Sequence, residues 1–309
     1  MTHKEAMQFI SDYYYNDNPT EEDKFLFVEA QHFLINTQHD PRDMHNLAFF
    51  YLEERKFDLE YKYLEMSAEY GYYPAYEELG YIWYYGQTGT VDYGKAFMYL
   101  SMGAECDDDI VRIFCEFKLA DMYRYGYFVD KDEAKYRRTI ESLYDKMTTP
   151  SKIHSVFSSE YMYSPEITMR LAAIRAEDGR NDEARFLLKE AKEHLAELIR
   201  GNTNWWGNIE IMDEIVSLMH EVSTDDTRID IYDLFWLSKK VCKLVFIYQN
   251  RRFIVNVVAD EGGLSIEFEN KWYRTARDFF EKAEIDGKKI VYIYDELVEM
   301  EVSGNYIDS

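Results

Sequence analysis

Histidine is the side chain most often recruited to hold a metal or move a proton near neutral pH. Three of the seven histidines in this chain, His32, His39 and His45, are spaced seven and six residues apart. Residues seven apart share a helix face. Pro41 interrupts the run, however, and no nearby cysteine pair or HExxH motif completes a metal site. Cys106, Cys115 and Cys242 stand far from any CxxC spacing and read as buried free thiols of a reducing compartment. Asp107-Asp108-Asp109 lacks the glycine and closing glutamate of a calcium loop, and reads as a loop or helix cap. GxxxxGK[ST], GxGxxG and GxSxG are all absent, so phosphate cradles and nucleophile elbows lack support. The expectation is a protein that is not an enzyme and that uses no metal or cofactor.

The elements around these residues are more informative. Residues 75–86 read AYEELGYIWYYG and residues 115–126 read CEFKLADMYRYG. At this 40-residue offset Leu79 falls on Leu119, Gly80 on Ala120, Trp83 on Tyr123 and Gly86 on Gly126. Asp92 and Lys95 then fall on Asp132 and Lys135. A leucine, a small residue and an aromatic at helical spacing, closed by glycine, describe a short helix that packs tightly and stops. Helix starts are signalled at Thr20, Pro41, Asp58, Pro74, Asp92 and Asp132. The pattern returns at LAAIRAEDGRNDEARFLLKEAKEHL, with Ala172, Gly179, Ala184, Leu188 and Ala191 at positions where paired helices must approach closely.

On these residues, segment 171–191 resembles a tetratricopeptide repeat. Segments 75–104 and 115–144 resemble its Sel1-like cousin, A-x-x-x-L-G-x-x-Y-x-x-G followed by D-x-x-K-A. Leu47-Ala48-x-x-Tyr51 resembles a degenerate earlier copy. Cys115 and Tyr136 depart from expected alanines, and residues 105–114 form an insertion that would splay the middle repeats. The resemblance covers about residues 42–200. It implies an α-solenoid, an architecture that usually binds and seldom catalyses.

After residue 240 the period changes from helical to alternating. KLVFIYQ (243–249), RRFIVNVVAD (251–260) and LSIEFE (264–269) read as a three-stranded antiparallel meander with a Gln249-Asn250 turn. A helix follows from Thr275. The last segment, KKIVYIYDELVEMEV, is open between strand and helix, with a strand and then a short helical turn preferred. The module's core is expected from Val245, Ile247, Ile254, Val255, Phe268, Phe279 and Phe280, with a one-residue register error exchanging faces. The fold class is thus mainly α, a helix-pair solenoid over residues 1–235, followed by a small α+β domain over residues 236–309. Trp205-Trp206 and the following IEIMDEIVSLMHEV extend the helical part, and Asp230 opens a last helix through Lys240.

Charge sharpens the functional reading. The formal net charge is −24, and residues 1–235 alone hold 24 bases and 46 acids. Phosphate backbones should be repelled by such a surface, so nucleic acid is not an expected partner. No apolar stretch approaches the ~18 residues of a membrane span, and the polar N-terminus carries no signal-peptide apolar region. A cytoplasmic protein without membrane partners is expected.

The resemblance implies that the first helix of each pair lines a concave groove. Positions two before the repeat leucine, and two and five after it, would face that groove. They are His45 and Phe49, then Glu77, Tyr81 and Tyr84, then Phe117, Asp121 and Arg124, then Met169. Aromatics among charges suit a docked peptide or partner helix; packing between irregular repeats is the other reading. A basic set on the C-terminal module, Arg251, Arg252, Lys271, Arg274 and Arg277, is either a guarded strand edge or a docking surface. The expected function is a non-enzymatic scaffold or adaptor for a protein or peptide. The alternatives are an acidic mimic of nucleic acid that occupies a basic partner, and an enzyme with its site between the two domains.

Overall fold

The computed structural model describes all residues except 17, 150–163, 202–206, 223–228 and 304–309. Trp205 and Trp206 lie outside the described residues. The chain divides into two compact units, Met1–Met162 and Tyr163–Ser309. Residue 235, where the sequence suggests a boundary, lies inside the second.

The first unit is a series of antiparallel helix pairs: α1 (His3–Tyr14) with α2 (Glu21–Gln38), α3 (Pro41–Glu53) with α4 (Phe57–Glu69), α5 (Tyr73–Tyr85) with α6 (Tyr93–Gly103), and α7 (Asp109–Tyr125) with α8 (Glu133–Thr148). Local chemistry places their ends. Thr2 with Glu5 and Thr20 with Asp23 form capping boxes, and Asp40, Asp92, Asp108 and Asp132 accept from backbone amides of their first turns. Gly86 and Gly126 stop α5 and α7 in the left-handed conformation, at φ 68° and 74°.

The two copies read from the sequence turn identically. The amide of Gln87 donates to Ile82 O and that of Tyr127 to Met122 O, each at 3.0 Å. Asp92 N donates to Trp83 O and Asp132 N to Tyr123 O, each at 3.0 Å. Asp92 and Asp132 then cap the next helix by accepting from Lys95 N and Lys135 N at 3.0 and 2.8 Å. Part of the insertion expected at 105–114 is helical, because Asp108 caps α7 and lengthens it to 17 residues.

A continuous core of Phe27, Leu34, Met44, Leu47, Phe50, Leu64 and Leu79 runs through the first three pairs. Each fully buried side chain of this size contributes about 1.5–3 kcal/mol. Gly80 touches α6 so closely that a Cβ there would lie 2.6 Å from Leu100.

The second unit holds α9 (Pro165–Glu177), α10 (Asn181–Gly201) and α11 (Asn208–Val222), a 3-10 turn at Ile231–Asp233 and α12 (Leu234–Leu237). α9 and α10 form the pair read at 171–191. The helix expected from Asp230 through Lys240 is reduced to this 3-10 turn and one helical turn. A sheet follows in the order β4-β3-β2-β1-β7, from β1 (Cys242–Tyr248), β2 (Arg251–Asp260), β3 (Gly263–Phe268), β4 (Lys271–Tyr273) and β7 (Val298–Ser303). α13 (Ala276–Lys282) and a small ribbon, β5 (Glu284–Ile285) with β6 (Lys288–Lys289), lie between β4 and β7. The meander is present and extended at both edges. The last segment opens on the short strand β6 and continues into 3-10 turns at Ile290–Tyr292 and Tyr294–Glu296, as preferred, and then adds the strand β7, which the sequence reading did not include.

Gln249 and Asn250, at φ 48° and 61°, make the tight turn between β1 and β2. The register Leu244↔Val255 and Phe246↔Phe253 sets those side chains on the buried face. There Phe268 meets Phe279 of α13 at 5.6 Å. Val245, Val255, Phe268, Phe279 and Phe280 are buried as expected. Ile247 and Ile254 are half-buried on the other face, where Val245 pairs with Ile254. The runs KLVFIY and FIVNVV are apolar at consecutive positions, so alternation alone did not choose the face.

Candidate functional site

The candidate site is the first-helix face of the first unit, carried by α3, α5 and α7. His45 is buried on α3; its Nε2 lies 3.0 Å from Glu78 Oε1 of α5, and its ring meets Phe49 and Tyr72, each at 5.0 Å. Phe49 is 40% exposed. Glu77 is half-buried, and burial, with the charges of Glu78 and Asp108, pushes its carboxyl up to about 8. Glu60 of α4 is raised to about 7 by burial and by Glu78. At neutral pH the Glu77 carboxyl is therefore mostly protonated and the Glu60 carboxyl about half so, and in that form each can donate a hydrogen bond.

One residue outside the expected set organises the middle of this face. Lys118 of α7 is buried at 1% exposure and donates from Nζ to the Tyr85 hydroxyl at 2.6 Å. The same ammonium lies 5.2, 5.5 and 5.0 Å from the ring centroids of Tyr81, Tyr84 and Tyr85, and 4.6 Å from that of Phe117. Tyr81, Tyr84 and Phe117 are thus brought together, but around a cation of the chain itself. Phe117 and Asp121 are buried at 0% and 1%, and Tyr84 at 9%, so their surface is spent inside the stack. Burial and the charge of Asp121 raise the Tyr84 phenol. Arg124 donates from Nη1 to the Tyr136 hydroxyl at 2.8 Å and lies over that ring. Met169 is buried in α9 of the second unit, apart from the other residues in the division of the chain.

Lys118 falls on Glu78 at the 40-residue offset. Both occupy the position just before the repeat leucine, and both reach back to the first helix of the preceding pair: Glu78 to His45, Lys118 to Tyr85. The sequence signal is a charged residue at the same repeat position in both copies, immediately before the leucine.

A second polar cluster, also unread from the sequence, lies in the second unit. Lys192 Nζ sits 2.9 Å from Asp230 Oδ2 and 3.3 Å from Asp233 Oδ2. His220 Nε2 lies 2.7 Å from Asp233 Oδ1, with its ring stacked on Trp236 at 4.0 Å. Burial raises the Asp230 carboxyl. At Asp233 burial acts in the same sense but is overcome by His220 and Lys192, which hold that carboxyl below its usual range. This network ties α10, α11 and the 3-10 turn together. Three of the five basic residues of the sheet module are also engaged: Arg277 pairs with Glu210 and Glu281, Arg274 with Asp260, and Arg251 with Asp286. The three cysteines are buried and unbonded. Among the described residues no helix is long and apolar enough to cross a membrane, and no group of three His, Cys, Asp or Glu is placed to hold a metal ion.

The first unit and the α9–α10 pair define a helical-repeat architecture of stacked antiparallel pairs. Similar solved structures include a Sel1 repeat protein from Oxalobacter formigenes, 17% identical, with 76% of this chain and 85% of that chain covered at a TM-score of 0.49. A protective antigen of uropathogenic Escherichia coli that displays an SLR fold is 15% identical, with 70% and 62% covered at a TM-score of 0.34. No family model and no curated protein matches the chain.

Proposed function

We propose that this chain is a non-enzymatic protein-interaction scaffold, and that the first-helix face of the first unit receives a peptide or helix of its partner. The observation that carries the reading is the row of partly exposed rings on consecutive first helices: Phe49 on α3, Tyr85 on α5 and Tyr125 on α7, at 40%, 41% and 38% exposure. Rings of this kind give large, flat contact at low entropic cost. The raised carboxyl of Glu77 adds a hydrogen-bond donor on α5, the helix that carries Tyr85. The Lys118 cage fits the same reading, because it fixes the angle between α5 and α7 and so the spacing of the rings.

The test is capture of the partner by the whole chain, followed by titration of that partner against wild type and a Phe49→Ala/Tyr125→Ala variant that melts normally. Loss of about tenfold or more in affinity supports the face as the binding site. Equal affinities place the partner elsewhere.

A further inference from the structure

A cleft of about 530 Å³ opens between α6 and α8, with another face of α7 as its floor. Its apolar surface comes from Phe97, Ala104, Leu119 and Tyr123. The 40-residue equivalence accounts for the opening. In the α5–α6 pair, Tyr76 and Tyr99 stack with centroids 6.4 Å apart and join the core, and the Tyr76 hydroxyl donates to Ala68 O at 2.9 Å. Their counterparts in the α7–α8 pair are Glu116 and Thr139, and Met98 and Met102 are answered by Arg138 and Ser142. Glu116 turns instead to Lys146, at 3.1 Å. The two stacked rings are thus replaced by a carboxylate and a hydroxyl, and the space they would fill stays open.

The charges around the cleft are unlike the rest of the molecule. Lys135, Arg138 and Lys146 line it against Glu105 and Glu116, in a chain whose net charge is −24. Lys146 is held by Glu116, and Lys135 lies over the Tyr123 ring at 3.8 Å. Arg138 is exposed and has no partner among the described residues. The volume falls within the ~300–1,000 Å³ of ordinary ligand sites.

We propose that this cleft docks an acidic segment of a partner protein through one aromatic side chain. The ring would take the volume that the Tyr76–Tyr99 stack fills one repeat earlier. A neighbouring carboxylate would accept from the Arg138 guanidinium at the rim, a pairing that favours fork geometry. This site is distinct from the first-helix face and goes beyond the function proposed for it.

The experiment selects a random dodecapeptide phage library on the whole chain and titrates the enriched peptides, made synthetically, by calorimetry. The expected winners carry an aromatic residue within two positions of Asp or Glu. Arg138→Glu should weaken them by about tenfold or more. Thr139→Tyr, which restores the ring found at Tyr99, should abolish binding while melting at or above the wild-type temperature. If Thr139→Tyr does not fold, the Arg138→Glu titration decides alone. Absence of enrichment, winners without acidic and aromatic residues together, or winners that bind both variants like wild type would overturn the proposal. Peptides lost with Phe49→Ala but kept by the cleft variants would also overturn it, while supporting the first-helix face.

Discussion

Lys95 lies over the face of Trp83, its Nζ 3.7 Å from the ring centroid. The equivalent pair one repeat later, Lys135 and Tyr123, lies at 3.8 Å. In both copies the ring belongs to the first helix and the lysine to the second turn-capped helix, so the contact clasps each pair across its loop. Two different rings in the same geometry show that the site selects a π-face above a lysine, with the particular aromatic secondary.

Lys95→Ala should therefore cost about 0.5–1 kcal/mol, the range for exposed cation–π contacts, and Lys135→Ala a similar amount. Lys95→Arg should retain most of it. Urea unfolding followed by circular dichroism measures this, and a loss above about 2 kcal/mol would assign Lys95 a packing role instead.

Gly80 tests the helix contact itself. A Cβ there meets Leu100 at 2.6 Å, whereas the equivalent position already carries Ala120. Gly80→Leu should overpack the α5–α6 contact and destabilise by about 1–3 kcal/mol. An unchanged melting temperature would separate Gly80 from the close approach.

Glu60 and Glu77 give the first unit a pH dependence of known sign. Their folded values of about 7 and about 8 stand above the ordinary 4.5. Between pH 4.5 and 8 the folded chain keeps protons that the unfolded chain has released, so stability falls as pH rises through that window. The melting temperature should be a few degrees higher, ~3–8 °C, at pH 5.5 than at pH 9. Glu77→Gln should raise stability at pH 9, change it little at pH 5, and flatten the slope between.

Lys192 supplies the cation between two carboxylates in the second unit. Lys192→Met leaves the buried Asp233 with His220 as its remaining charged partner, beside the partly exposed Asp230, at a cost of about 1–3 kcal/mol. Adding Asp233→Asn should recover part of that loss in thermal melts, because it removes the repulsion between the two carboxylates. Equal melts for the single and double variants would show that the lysine's packing, and not its charge, holds the site.

The sequence was most legible where structure is local. Thr20, Asp92 and Asp132 satisfy amides within three residues of themselves, and Gly86 and Gly126 stop their helices by backbone conformation alone. Such signals survive in any tertiary context, so the helix pairs, their loops and the meander could be read from residue order. The face of the sheet could not. Val245, Phe246, Ile247 and the facing Phe253, Ile254 and Val255 are all apolar, and only the packing of α13 against Phe268 decided which face it covers.

The candidate sites depended still more on tertiary contact. Phe117, Asp121 and Tyr84 sit at helix positions that a regular solenoid would turn outward, but Lys118 draws the rings inward by coordinating side chains from two successive pairs. The cleft between α6 and α8 likewise arises from the spacing of three helices, although the small residue that opens it, Thr139 at the position equivalent to Tyr99, stands in the sequence. Helix capping and turn geometry are set by neighbours in the chain. Burial of a charge, the choice of a sheet face and an unfilled slot are set by residues tens of positions away, and require the packed fold.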